Sequence, residues 1–243
     1  YILPALGFIK LQRLTSRQIQ SLYSDMQRRG KGASSIVATH RVLTEALGHA
    51  VESKTITKNV ANEAKPPRVE RKTMPMWNVS EINQFLDAAT TNHFFPVYHL
   101  AVLTGLRRSE IFGLKWDAVD LASATLRVVR TLQRITDHGL VEGQPKTDRS
   151  RRSIALSPAA VALLHGVRGT QMENRLDYEG LWSNTGFVFT QLDGSPIDPD
   201  RVSKEFPKLV RAKSLPHLTF HGLRHAHATL ALSAGVNPKI VSE

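Results

Sequence analysis

A chain of 243 residues that is 41% hydrophobic can bury a core large enough for one sizeable domain or two modest ones. The absence of cysteine excludes disulfides, iron–sulfur clusters and thiol catalysis, and leaves histidine and carboxylates as the only side chains suited to a metal. The formal net charge of +11 is uneven: residues 1–76 hold 13 Lys and Arg against 5 Asp and Glu, residues 77–243 hold 19 against 16, so the first third suits a polyanion, nucleic acid before an anionic membrane.

No run of about eighteen apolar residues occurs, and YILPALGFIKLQRLT lacks the basic-then-apolar layout of a signal peptide. The sequence therefore reads as a soluble, cytoplasmic protein with no membrane partner. In TSRQIQSLYSDMQRRG, Thr15 or Ser16 can cap a helix, Ile19, Leu22, Tyr23 and Met26 share one face, and Gly30 ends it. SSIVATHRVLTEALGHAVES repeats the pattern with Ile36, Leu43, Leu47 and Val51. Residues 1–64 are expected to form a small helical domain. KPPRVERKTMPM, residues 65–76, has three prolines and no apolar periodicity, which marks a linker to a second domain over 77–243.

After the linker, Ser80 is expected to open a helix through Ala89, FFPVYHLAVLTG is an apolar helix ending at Gly105, and RRSEIFGL resumes helical spacing. Across residues 124–156 the period changes: ATLRVVRTLQRI, GLVEGQPK and SRRSIALS are β-branched and punctuated, which predicts a three-stranded antiparallel meander. Ser157 and Pro158 open another helix. GFVFT reads as a short strand or buried extended segment, DPDRVSKEFPKLVRAKS as a helix, and FHGLRHAHATLALSAG as one long, mostly apolar helix. The fold class is mainly α with a small antiparallel sheet, an α+β arrangement.

Three places combine cations with tight punctuation. In TGLRRSEIFGLKW, Arg107 and Arg108 stand at the edge of a helix where a guanidinium fork suits a phosphate, and Glu110 can brace one of them; a surface salt-bridge pair is the plainer reading. PKTDRSRRSI crowds four cations into a turn between strands, either a solubilising turn or a lysine, Lys146, able to reach a groove and donate a proton. In HGLRHAHATL, helical spacing puts His221, Arg224 and His225 on one face with His227 elsewhere. His221 and His225 as a metal pair compete there with His221 and Arg224 as a proton donor and phosphate clamp. The metal reading lacks the neighbouring acid that an HExxH pair carries, and His225, His227 or both can be core imidazoles.

Taken in order, these boxes resemble the tyrosine recombinase (phage integrase) family. Arg107 matches the family's first arginine and Glu110 its acidic position; Lys146 matches the β-hairpin lysine; His221 and Arg224 match the His-x-x-Arg box. A basic helical core-binding domain, a linker and a catalytic domain follow the family's order. The resemblance implies that Arg107 and Arg224 grip the scissile phosphate, Lys146 protonates the leaving 5′-oxygen and His221 supports proton transfer, with His225 beside it. It implies no metal and no cofactor, because cationic side chains take the place of ions in the phosphoryl transfer. Double-stranded DNA at a recombination site is the implied partner, with Arg71, Lys72, Arg149 and Arg151 on its backbone. A tetramer on two duplexes is implied for the full-length protein, while this stretch by itself can be a monomer.

The family's nucleophile, a tyrosine that forms a 3′-phosphotyrosyl link, follows the His-x-x-Arg box. Here Tyr1, Tyr23, Tyr98 and Tyr178 all precede it, and NPKIVSE resembles the approach to the missing segment. The expectation is a recombinase core truncated at both ends, able to bind DNA and unable to cleave it. The alternatives are a catalytically inactive DNA-binding regulator of the same fold and a histidine-metal phosphodiesterase.

Overall fold

The computed structural model describes residues 1–70, 76–145 and 151–236. The chain divides into two compact units, Tyr1–Thr73 and Met74–Glu243.

The first unit is helical: α1 (Ile2–Leu6), α2 (Ser16–Arg28) and α3 (Ala33–Glu52), with 3-10 turns at Leu11–Arg13 and Val60–Glu63. Thr15 caps α2 through a reciprocal box, its hydroxyl accepting the Gln18 N–H at 3.3 Å while the Gln18 side chain accepts the Thr15 N–H at 2.9 Å. Ile19, Leu22, Tyr23 and Met26 of α2 are buried against Ile36, Leu43 and Leu47 of α3. Gly30 follows α2 with φ at +72°, which lets the Lys31 N–H return to the Met26 carbonyl at 2.9 Å. The buried Tyr23 hydroxyl is satisfied by His40 Nδ1 at 2.8 Å, and burial pushes its pKa up to about 12. Lysines and arginines such as Lys10, Arg13, Arg17 and Arg41 stay exposed.

The second unit begins with Trp77 and α4 (Val79–Ala89). The cap of α4 is Asn78 and not Ser80: Asn78 and Glu81 exchange side-chain hydrogen bonds with each other's backbone N–H at 2.9 and 2.8 Å, and this box places the cap two residues before Ser80. Helix α5 (Phe95–Thr104) is apolar on every side and runs through the core, stopped by Gly105 in a left-handed conformation at φ +63°. Helix α6 (Arg108–Phe112) follows at once.

Strands β1 (Val119–Asp120), β2 (Thr125–Val128), β3 (Thr131–Ile135), β4 (Gly139–Gly143) and β5 (Arg152–Ala155) form two sheets instead of the expected meander. One is three-stranded in the order β1-β2-β5, the other pairs β3 with β4. The expected single strand over ATLRVVRTLQRI breaks at Val129–Arg130. There Gly113 packs directly on the backbone of Arg130 and Thr131, where a Cβ would stand 2.6 Å from Thr131 Cα, and Arg130 turns to grip Asp117 at 2.7 and 2.8 Å. Strand β5 then pairs with β2, Val128 opposite Arg152 and Leu126 opposite Ile154.

Helix α7 (Pro158–Asp177) is capped by Ser157. The GFVFT stretch is a buried extended segment with Phe187, Val188 and Phe189 in the core, touching Lys115 through an isolated bridge. Helix α8 (Pro199–Ala212) buries Val202, Phe206 and Val210. The single long helix expected over residues 220–235 is a 3-10 turn at Phe220–Gly222 followed by α9 (Leu223–Ser233). Leu218 lies against Gly222, 2.5 Å from where a Cβ would be, so only glycine admits this close turn.

An aromatic cluster ties these helices together. Trp77 packs on Phe85 at 5.2 Å, Phe85 on Phe206 at 5.0 Å, and Tyr98 on both Phe206 and Phe220 at 5.7 and 6.1 Å. The Trp77 indole donates to the Pro216 carbonyl at 2.9 Å. Phe220 is thereby held against α5 and α8, and it carries the turn that contains His221.

Candidate functional site

The C-terminal end of α5 is the anchor of the site. Its last carbonyls have no partner within the helix, and α9 supplies two. Arg224 Nη1 donates to the Gly105 carbonyl at 2.6 Å, and His227 Nδ1 lies 2.9 Å from the Val102 carbonyl, so that nitrogen carries the proton. His227 is therefore a packed imidazole whose pKa burial lowers, whereas His225, the other candidate for that role, is exposed. His225 stands with its ring 6.0 Å from that of His221 and perpendicular to it.

Arg107 sits between the Gly105 turn and α6, with Leu106 buried beside it. Glu110, one turn along, accepts the Arg107 backbone N–H at 2.9 Å and its guanidinium at 2.6 Å. The Glu110 side chain is 2% exposed, and Arg107 is 46% exposed. The expected contribution from a helix N-terminus is not present: α6 has five residues, and the Arg107 N–H is already taken by Glu110. Arg108 points away from this cluster to Asp200 and Ser203 at 3.0 and 2.5 Å.

A third arginine joins the pair. Arg152 on β5 reaches both oxygens of Glu110, Nη1 to Oε1 at 3.2 Å and Nη2 to Oε2 at 3.0 Å. The motifs did not single it out from its neighbour Arg151, which is exposed and bonds to Gln144. Strand alternation carries the missing signal: Arg152 lies opposite Val128 and in phase with Ile154, on the side that β2 buries.

The electrostatics follow from this crowding. Burial alone would raise the Glu110 pKa, but hydrogen bonds from Arg152 and Arg107 outweigh it and hold the carboxyl below the usual range. Burial, then the charges of Arg107 and Arg152, pull the Arg224 pKa below its usual value, with Glu110 opposing. His221 is pulled down by burial first and then by His225, Arg224 and Arg107, so its imidazole is neutral near neutral pH. Arg107 and Arg152 thus share the Glu110 carboxylate, and Arg224 and His221 lie near enough to feel the charge of Arg107. Among the described residues no group of three or more His, Asp or Glu side chains is gathered as for a metal.

The sequence reading placed Lys146, Arg149, Arg71 and Lys72 at the DNA; all four lie outside the described residues. Tyr98 is fully buried in the aromatic cluster, its hydroxyl unpaired among the described residues, and Tyr178 is half-buried just after α7. None of the helices described is long and apolar enough to cross a membrane.

Comparison with known proteins shows the family and the fold. A tyrosine recombinase XerC-like protein of Caldanaerobacter subterraneus subsp. tengcongensis is 29% identical over 252 residues, an alignment that covers 97% of this chain and 64% of that protein's length. The fold is similar to that of the Tn1549 transposon integrase in complex with a circular intermediate DNA, with a TM-score of 0.78 at 21% identity over 98% of this chain and 78% of that one. It is also similar to lambda integrase in a tetramer bound to a Holliday junction, at a TM-score of 0.68 and 20% identity over 99% and 64% of the two chains. Residues 73–243, which include Arg107, Glu110, Arg152, His221 and Arg224, match the phage integrase family, and the chain belongs to that family of tyrosine recombinases.

Proposed function

We propose that this chain carries the phosphate-gripping centre of a site-specific DNA recombinase. The observation that carries the reading is the meeting of Arg107 and Arg224, from opposite ends of the second unit's sequence, at the C-terminal end of α5. Two guanidiniums facing one spot can hold the non-bridging oxygens of a phosphodiester and offset the charge that builds in a pentavalent transition state. His221, neutral beside them, is able to hydrogen-bond a phosphate oxygen and pass a proton. Lys146, between β4 and β5 in sequence, is assigned the protonation of the leaving 5′-oxygen. The nucleophile is a tyrosine that attacks phosphorus, forming a 3′-phosphotyrosyl bond as the 5′-hydroxyl leaves; no tyrosine of this sequence follows Arg224. Double-stranded DNA is the proposed partner, Arg71, Lys72, Arg149 and Arg151 its backbone contacts, a tetramer on two duplexes the working assembly, and the cytoplasm the place of action.

Residues 1–243 are therefore expected to bind duplex DNA without cutting it. If about six phosphates are engaged, log affinity falls with log salt at a slope near −5. A salt-independent affinity refutes the DNA reading. On a nicked suicide duplex, denaturing electrophoresis is expected to show no covalent adduct from residues 1–243; an adduct lost in Tyr178→Phe overturns the assignment of the nucleophile.

A further inference from the structure

Glu110 receives more donors than Arg107 alone supplies. Arg107 contributes one guanidinium nitrogen at 2.6 Å and its backbone N–H at 2.9 Å, while Arg152 contributes two guanidinium nitrogens, one to each oxygen, at 3.2 and 3.0 Å. The two arginines differ in exposure: the Arg152 side chain is 18% exposed and that of Arg107 46%. Arg152 is the more enclosed of the two arginines, and Arg107 keeps an edge in solvent. Arg107 also reaches both oxygens, but its guanidinium itself makes only one contact, whereas the planar fork of Arg152 meets both oxygens with a single rigid group and so fixes the carboxylate plane from the strand side. Oε1 is shared between both guanidiniums, so fixing that plane fixes where the Arg107 contact must be made.

We infer that Arg152 is a positioning residue of the phosphate site: its fork holds the Glu110 carboxylate, and that carboxylate aims the guanidinium of Arg107 at the phosphate. The inference rests on the reading of Arg107 and Arg224 as a phosphate grip. Charge supports the same division of labour. Both guanidiniums share Glu110, and Arg107, the more exposed of the two, keeps an edge free to meet an anion. A lysine at position 152 would keep the charge and lose the fork. The low pKa of Glu110 agrees, since the Arg152 hydrogen bond leads the influences that lower it.

The test titrates inorganic phosphate into residues 1–243 labelled with 15N-arginine, well below the unfolding temperature of each variant. In the wild type, the guanidinium signals of Arg107 and Arg224 are expected to shift saturably. In Arg152→Lys and Arg152→Gln the dissociation constant is expected to rise about tenfold or more, the order of loss when a group that orients a binding residue is removed. Arg127→Gln on neighbouring β2, whose arginine contacts the Asp117 carbonyl, is expected to leave phosphate binding unchanged. A 13C titration of the Glu110 carboxyl supplies a second measurement, with the pKa expected to rise toward the ordinary glutamate range in both Arg152 variants. An Arg152→Lys protein that binds phosphate as the wild type does overturns the positioning role, because charge alone would then suffice. A wild type whose Arg107 and Arg224 signals ignore phosphate overturns instead the site reading on which the inference stands. If Arg152→Gln does not fold, Arg152→Lys, which keeps the stem and the charge, decides the question.

Discussion

Gly105→Ala is expected to destabilise the second unit by about 2–4 kcal/mol, and most of that loss is expected to vanish when His227 is also removed. The first contribution is conformational: φ at +63° is left-handed, and an L-residue there costs about 1–2 kcal/mol, partly offset by a less flexible unfolded chain. The second is steric. An alanine Cβ would stand 2.7 Å from His227 Cδ2 and 3.1 Å from Cγ, closer than carbon atoms tolerate. The imidazole cannot step aside freely, because its Nδ1 proton is bonded to the Val102 carbonyl at 2.9 Å. Moving it costs that hydrogen bond, about 1 kcal/mol, besides the strain of overpacking, about 1–3 kcal/mol. Trp77, Trp116 and Trp182 are the only tryptophans, and all lie in the second unit, so urea unfolding followed by indole fluorescence reports on it alone. In a double-mutant cycle, Gly105→Ala in a His227→Ala background is expected to cost only about 1 kcal/mol, the conformational part. Equal costs in both backgrounds would refute the packing of His227 on the Gly105 turn, and with it the account of how Arg224 is seated.

Glu110→Gln keeps the shape of the side chain and removes the charge between two arginines. Breaking a buried pair from one side costs about 3–5 kcal/mol, read by the same unfolding assay, and a loss below about 1 kcal/mol would show that Glu110 is not the buried counter-charge described. Stability is also expected to depend on pH through the imidazoles. Burial lowers the pKa of His99 and His227, so each binds its proton less readily folded than unfolded. Their contribution is complete above the unfolded imidazole pKa of about 6.5 and falls as pH drops below it, by up to about 1.4 kcal/mol per pH unit for each proton taken up on unfolding. Unfolding midpoints measured from pH 8 to 5.5 test this; a flat profile contradicts the burial of these rings.

Local signals made much of the fold legible. The stripe Ile19, Leu22, Tyr23 and Met26, the Thr15 cap and the Gly105 stop all depend on neighbours within a turn or two, and each is found where spacing puts it. The strands were less legible because their pairing depends on contacts far apart in sequence. Nothing within ATLRVVRTLQRI announces that Gly113 presses on Arg130 and Thr131 and splits the run, or that β5 returns to β2. The same distance hides Arg152. Two adjacent arginines read alike as letters, and only the register that sets Arg152 opposite Val128 tells which one turns inward.

That distinction bears on how the site is built. Arg107 and Arg224 stand out as letters because each sits in a short box, yet each is seated by something outside its box. Arg224 leans on the carbonyl that the left-handed Gly105 exposes, and α9 is kept in register there by His227 on Val102. Arg107 leans on Glu110, whose remaining lone pairs are held by a strand residue 42 positions away. The two guanidiniums are therefore separated by one αL turn of α5 and braced from opposite sides, α9 on one and β5 on the other. Like charges so close repel one another, and the charges of Arg107 and Arg152 are felt at Arg224, whose pKa they lower after burial. On the proposed reading, an incoming phosphate would relieve that repulsion: the guanidiniums would stand in an arrangement that is unfavourable alone and complete with an anion in place.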